Sequence, residues 1–216
     1  MSYHSESPFL VLHTVRLLGF ADTAAIATQA GITIGAAADL LREAERRGWT
    51  QLVSFADLEG WSLTDAGKTE NERQLAIERE HADPGHQIAA AYLDFLPLNA
   101  RLLRAVTDWQ IAPTDTDAFA PNDHSDRERD ERILAELAEL GAALVPLVER
   151  LSGVRARFDG YAERFEAALS KAKDGHNDWI DKTDVDSCHR VWFQLHEDLV
   201  ATLGIDRRTE NTNGFE

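Results

Sequence analysis

The chain has 216 residues, enough for one large domain or two small ones, and 44% hydrophobic with 28% charged residues is the balance of an ordinary globular protein. No apolar run approaches the roughly 20 residues that span a bilayer. The start MSYHSESPF lacks the basic and apolar parts of a secretory signal, and the single Cys188 excludes an internal disulfide framework and fits a reducing cytoplasm. The formal net charge of −16 opposes nucleic acid, which a protein normally meets with a basic face.

Pro8 to Gly19 repeats apolar residues at helical spacing (Leu10, Val11, Val15, Leu18), with Pro in its first turn and Gly at its end. Asp22 and Thr23 offer an N-cap for a second helix, Ala24 to Ala30, stopped by Gly31. Thr33 is the cap of a third helix that closes at Gly48 and gathers Ile34, Ala37, Leu40, Leu41 and Ala44 on one face. The pattern then alternates as in strands over Trp49–Val53 and Gly60–Leu63, with Ser54 to Glu59 as the hairpin tip. Thr64 begins a helix that runs through Glu80.

Helix, short helix, helix, hairpin, helix is the order of a winged helix-turn-helix domain, predicted over residues 8–80. The stretches AAIATQAGI, LLREAERRGW and WSLTDAGK resemble the MarR-like and PadR-like regulator families. In those families a leucine-threonine, two-residue, glycine step follows the wing. The short lead before the first helix and the helical arm after the domain bring the layout closer to the PadR-like family. The resemblance covers about a third of the chain and implies a transcription regulator that touches DNA.

In such a domain the start of the third helix reads the major groove and the wing tip reaches the backbone or minor groove. Thr33 is the only side-chain donor at that start, while Arg42, Arg46 and Arg47 stand further along, placed for phosphates. The tip Ser-Phe-Ala-Asp-Leu-Glu-Gly has no Lys or Arg and two acids. Met1 to Glu80 carries 7 basic and 12 acidic residues, net −5, so the helical part carries −11. The alternative to a regulator is therefore a winged helix used as a protein-interaction scaffold.

His81 to Gly85 is a turn-rich boundary, and four further helices are predicted beyond it, forming an antiparallel bundle over residues 86–204 before a polar tail at 205–216. They run from His86 to Trp109, with a kink or break expected near Phe95 because of Pro97, then Arg127 to Leu151, Val154 to Lys173 and Val185 to Leu203. The fold class is thus mainly α, a winged helix-turn-helix domain followed by a bundle that dimerises or holds a small effector.

Two polar stretches stand out in the bundle, Asn122-Asp-His124-Ser-Asp126 and Asp186 to Asp198. In the second, His189, Trp192, Phe193 and His196 fall on one helical face, with Glu197 adjoining. Such a set can bind an acidic ligand or a metal, or serve as acid and base. It can equally be a buried aromatic stripe with hydrogen-bonded histidines. Asn99, Arg101 and Arg104 follow Pro97, where polar residues line either a cavity or a solvent face. The candidate ligand residues are Asn99, Trp109, His124, His189, Trp192, His196 and Glu197. No catalytic, cofactor or metal motif is present in the sequence, and Cys188 reads as a buried structural thiol.

The runs FLPLNARLLRAVTDWQ, PNDHSD and VWFQLHEDLVATLG resemble helical segments that accompany actinobacterial phosphoenolpyruvate-synthase or dikinase-like enzymes. That resemblance implies an accessory subunit. It would position a small acceptor molecule, aromatic ones included, while a large phosphotransfer partner supplies the phosphoryl group.

Overall fold

The computed structural model describes residues 2–55, 58–83 and 85–205. The protein is mainly helical, with one small antiparallel sheet of two strands among the described residues. It divides into two compact units. One holds Tyr3–Gly85 with the stretch that begins at Glu197, and the other holds Ser2 with His86–His196. The helical part expected over 86–204 therefore gives up its last residues to the first unit. The expected hairpin-tip residues Ala56 and Asp57, and the tail from residue 206, lie outside the described residues.

In the first unit α1 is Ser7–Leu18, α2 Thr23–Ala30 and α3 Ile34–Arg46. Asp22 caps α2 by accepting from the Ala25 N–H at 2.7 Å, and Gly31 closes it in the left-handed region. Thr33 caps α3 through the Ala36 N–H at 3.3 Å. Strands β1 (Thr50–Phe55) and β2 (Leu58–Leu63) pair antiparallel with Leu52 opposite Trp61 and Val53 opposite Gly60. The strands are longer and the tip shorter than the sequence pattern suggested, because ladder bonding continues into exposed residues whose alternation carries no burial signal. Helix α4 is Asp65–Ala82. Val11, Val15, Ile26, Leu41 and Trp61 form one core, and Phe9, Leu75 and Ala201 a second. Trp61 is fixed from both ends: Ala21 exchanges two backbone bonds with it, and its indole N–H donates to Thr23 at 3.0 Å.

The other unit contains α5 (Gln87–Gln110), α6 (Arg127–Val154), a 3-10 turn (Ala156–Phe158), α7 (Tyr161–Lys173) and a short α8 (Asp178–Asp181). Helix α9, Cys188–Leu203, belongs to this unit as far as His196. Helix α5 packs on α6, and α6 on α7. The break expected at Pro97 does not occur, and α5 runs continuously through it. Pro97 is exposed, and Leu93, whose carbonyl loses its helical donor, is 67% exposed, so water can replace that bond. Pro146 sits in α6 in the same way, itself exposed and four residues beyond the exposed Ala142. The third helix of this unit was expected from Val154 but begins at Tyr161. Gly153 stays helical, and the turn falls at Gly160, whose φ is +84°.

Candidate functional site

The α3 and hairpin face is the first place to test function. Residues Thr33 to Ala36 are exposed, as a reading helix requires, but they present a capping hydroxyl, Ile34, a glycine and an alanine. Ile34 is 59% exposed. None of the three arginines stands alone. Arg42 donates to Asp39 at 3.2 Å, Arg47 to Glu43 at 2.8 Å, and Arg46 to the other oxygen of Glu43. The hydrogen bonds from Arg47 and then Arg46 hold the Glu43 carboxyl below its usual range. Arg47 also lies over the Trp49 ring. Exposed pairs of this kind add little to stability, because water and salt screen them. Their effect here is local: an arginine that swings to a phosphate leaves a carboxylate facing the same polyanion. On the hairpin, Leu52 and Leu58 are exposed on its two faces, and Phe20 lies over Gly60.

The expected ligand residues do not converge. Asn99 and Trp192 meet, the indole N–H donating to the Asn99 carbonyl oxygen at 3.1 Å. Trp192 is 1% exposed and packs against Phe95 and Phe165. His196 joins that core through Phe95 and Tyr92. Trp109 and His124 form a separate pair with ring centroids 4.5 Å apart. His124 contacts Asp130 at 3.0 Å, and Asn122 donates to Asp130 and to the Trp109 carbonyl, so the Asn-Asp-His stretch clasps the loop onto the end of α5. Asn99 and Trp109 stand ten residues apart on α5, about 15 Å along its axis. The two pairs are thus separate along the helix.

The single α9 face also divides. Trp192 is buried while Phe193 is 47% exposed, since adjacent residues point about 100° apart. His189 is half-buried, and burial holds its pKa below the usual histidine range, with Asp181 opposing. Glu197 belongs to the first unit, where it accepts from Arg16 at 3.0 Å and is thereby committed. Of that stripe, Trp192 and His196 pack against Phe95, while His189 is half-buried and Phe193 exposed. Among the described residues no group of three His, Cys, Asp or Glu side chains is placed to hold a metal ion, and no single helix is long and apolar enough to cross a membrane.

The sequence reading missed a buried polar cluster in the first unit. His13 is 2% exposed, with Nδ1 3.3 Å from Asn71 Oδ1 and Nε2 3.0 Å from Asp198 Oδ1. Thr202 donates to the same Asp198 oxygen at 3.1 Å, and Phe9 stacks on the His13 ring. As placed, Asn71 Nδ2 is buried without an acceptor. An amide turned half round would offer Nδ2 to His13 Nδ1 and leave Nε2–H for Asp198. The signal was available as one polar ring inside the apolar run Phe-Leu-Val-Leu-His-Thr-Val of α1.

Cys188 is fully buried, and desolvation pushes its thiol up to about 12. At a pH near 8 only about one thiol in ten thousand is then ionised, and the thiolate is the nucleophile. Folded protein is therefore expected to resist Ellman's reagent, with the full equivalent reacting in denaturant. Rapid labelling of the native protein would show that the site opens.

Comparison of the chain with protein-family models, with curated proteins and with solved structures finds no match.

Proposed function

We propose that this protein is an accessory subunit whose winged helix-turn-helix unit meets protein instead of DNA, alongside an antiparallel helical bundle. The element order of the first unit supports the winged-helix assignment: three helices, a hairpin bridged to Ala21, then α4. The observation that carries the functional reading is the neutralised α3. Each of its arginines is closed onto an acid one turn away, while Ile34 and Leu58 stand exposed where a DNA reader presents cations. The partner proposed is a large phosphotransfer enzyme, on the resemblance of the helical segments.

One observation favours the regulator reading: the first turn of α3, Ile34 to Ala36, is exposed, as a groove-reading helix requires. Fluorescence anisotropy of the full chain with labelled duplexes, including the DNA upstream of its own reading frame, separates the two. Anisotropy is expected to stay flat down to low salt. Saturable binding whose affinity falls steeply with salt, at roughly 0.9 in log–log slope per phosphate contacted, would restore Thr33, Arg42, Arg46 and Arg47 as DNA contacts.

A further inference from the structure

Helices α5 and α6 carry the same stripe. Arg101, Arg104, Ala105 and Asp108 on one, and Arg129, Arg132, Ile133 and Glu136 on the other, repeat Arg-x-x-Arg-apolar-x-x-acid. Offsets of three, four and seven put all four residues of each stripe on one helical face. Together the two stripes line a single cleft of about 280 Å³.

The ends of the stripes neutralise each other in antiparallel fashion. Arg101 donates to both oxygens of Glu136, at 2.7 and 3.0 Å, and to Glu139 at 2.9 Å. Arg129 reaches the Asp108 carboxylate at 3.6 Å and donates to the backbone carbonyls of Asp108 and Ile111. The middle of the cleft has no such closure. Arg104 makes no hydrogen bond or close ion pair among the described residues, although, after the hydrogen bond and charge of Arg101, its charge helps hold the Glu136 carboxyl below its usual range. Arg132 makes one bond, from Nε to its own helix at the Glu128 carbonyl, which leaves its terminal nitrogens without a hydrogen bond among the described residues. Ala105 and Ile133 are buried beneath them at 4% and 7% exposure.

Two guanidinium groups around one cleft repel each other, in a chain that has acids to spare. Four arginines against Asp108, Glu136 and the Glu139 that Arg101 also holds leave one positive charge unmatched around the cleft. A phosphate monoester carries about −1.5 to −2 at neutral pH and accepts the paired N–H bonds of an arginine fork. The cleft volume lies at the small end of ligand sites, which suits a small metabolite. We propose that this cleft binds a small phosphate monoester, its phosphate between Arg104 and Arg132 and its carbon part against Ala105 and Ile133. Arg101 and Arg129 are positioning residues, held by their own acids and carbonyls. The proposal does not depend on how the first unit is used, and it fails or stands separately from the DNA test.

The test is isothermal titration of the full chain with glycerol 3-phosphate, inorganic phosphate and succinate at constant ionic strength, with thermal melts in parallel. Saturable one-to-one binding of glycerol 3-phosphate is expected, weakened about tenfold in R104A and again in R132A. Both side chains are exposed, so both variants are expected to fold, which their melts will show. Without ligand, R104A is expected to melt close to the parent because the exposed Arg104 makes no hydrogen bond or close ion pair among the described residues, and only the parent is expected to gain stability from the phosphate. Absence of saturable binding by the parent, or binding unchanged in the double variant, would overturn the proposal. Succinate binding as tightly as the phosphate would overturn the monoester assignment in favour of a dicarboxylate.

Discussion

Gly67→Ala is expected to destabilise the first unit by more than about 3 kcal/mol, beyond the usual range for an added core methyl. A Cβ at Gly67 would stand 1.8 Å from the Trp49 carbonyl oxygen and 2.7 Å from its carbon. These are backbone atoms, and they cannot step aside. The Trp49 oxygen accepts from the Thr64 N–H at 3.0 Å, and the Thr64 hydroxyl points at the Gly48 and Trp49 carbonyls, at 2.5 and 3.2 Å. Thr64 also caps α4 by accepting from the Gly67 N–H at 3.0 Å. Threonine and glycine thus act together: one ties the helix start to the strand entry, and the other lets the two backbones touch. Gly60→Ala is the contrast. There the clash is with the Phe20 ring, which is 40% exposed and free to move, so about 1 kcal/mol or less is expected. Urea melts of both variants check the ranking, and equal losses would refute the backbone argument.

The second large effect is expected at His13→Leu, on the order of 3 kcal/mol, or a fall in Tm of about 10 °C. The leucine fills much of the ring volume, so the loss is not chiefly a cavity. It arises because Asp198, 1% exposed, loses a buried donor and cannot recover it from water. Asp198→Asn keeps an acceptor for His13 and for the Thr202 hydroxyl, and a loss nearer 1 kcal/mol is expected. Thermal melts of the two variants at neutral pH measure the difference. If the asparagine variant were the more damaged, the cluster would depend on the charge of Asp198 and not on the bond from His13.

Local chemistry was legible where it is local. Asp22, Thr33 and Thr64 announced three helix starts, because a cap needs only its own residue and the next three. The alternation after Gly48 announced the hairpin, although burial settles on Trp61 and Thr50 while Leu52, opposite Trp61, stays exposed. Pro97 misled for the opposite reason. Whether a proline breaks a helix depends on whether water can reach the orphaned carbonyl, and that follows from which side of α5 faces the solvent. Phe193 misled because a seven-residue window of apolar and histidine residues does not say where the buried arc ends.

The candidate sites divide along the same line. The lack of a cation on the hairpin tip and the shortage of base-reading side chains on α3 are properties of the residues themselves. That Arg42, Arg46 and Arg47 are each met by an acid could also be anticipated from spacings of three and four. The sequence alone determined that this protein is mainly helical, strongly acidic and ordered as three helices, a hairpin and more helices, because caps, periodicity and charge act over one or two turns. Only the tertiary structure decided that His13 meets Asp198 across 185 positions, that Asn99 accepts from Trp192, and that the stripes of α5 and α6 face each other. Those outcomes depend on which faces of distant helices are pressed together, and no local pattern encodes that choice.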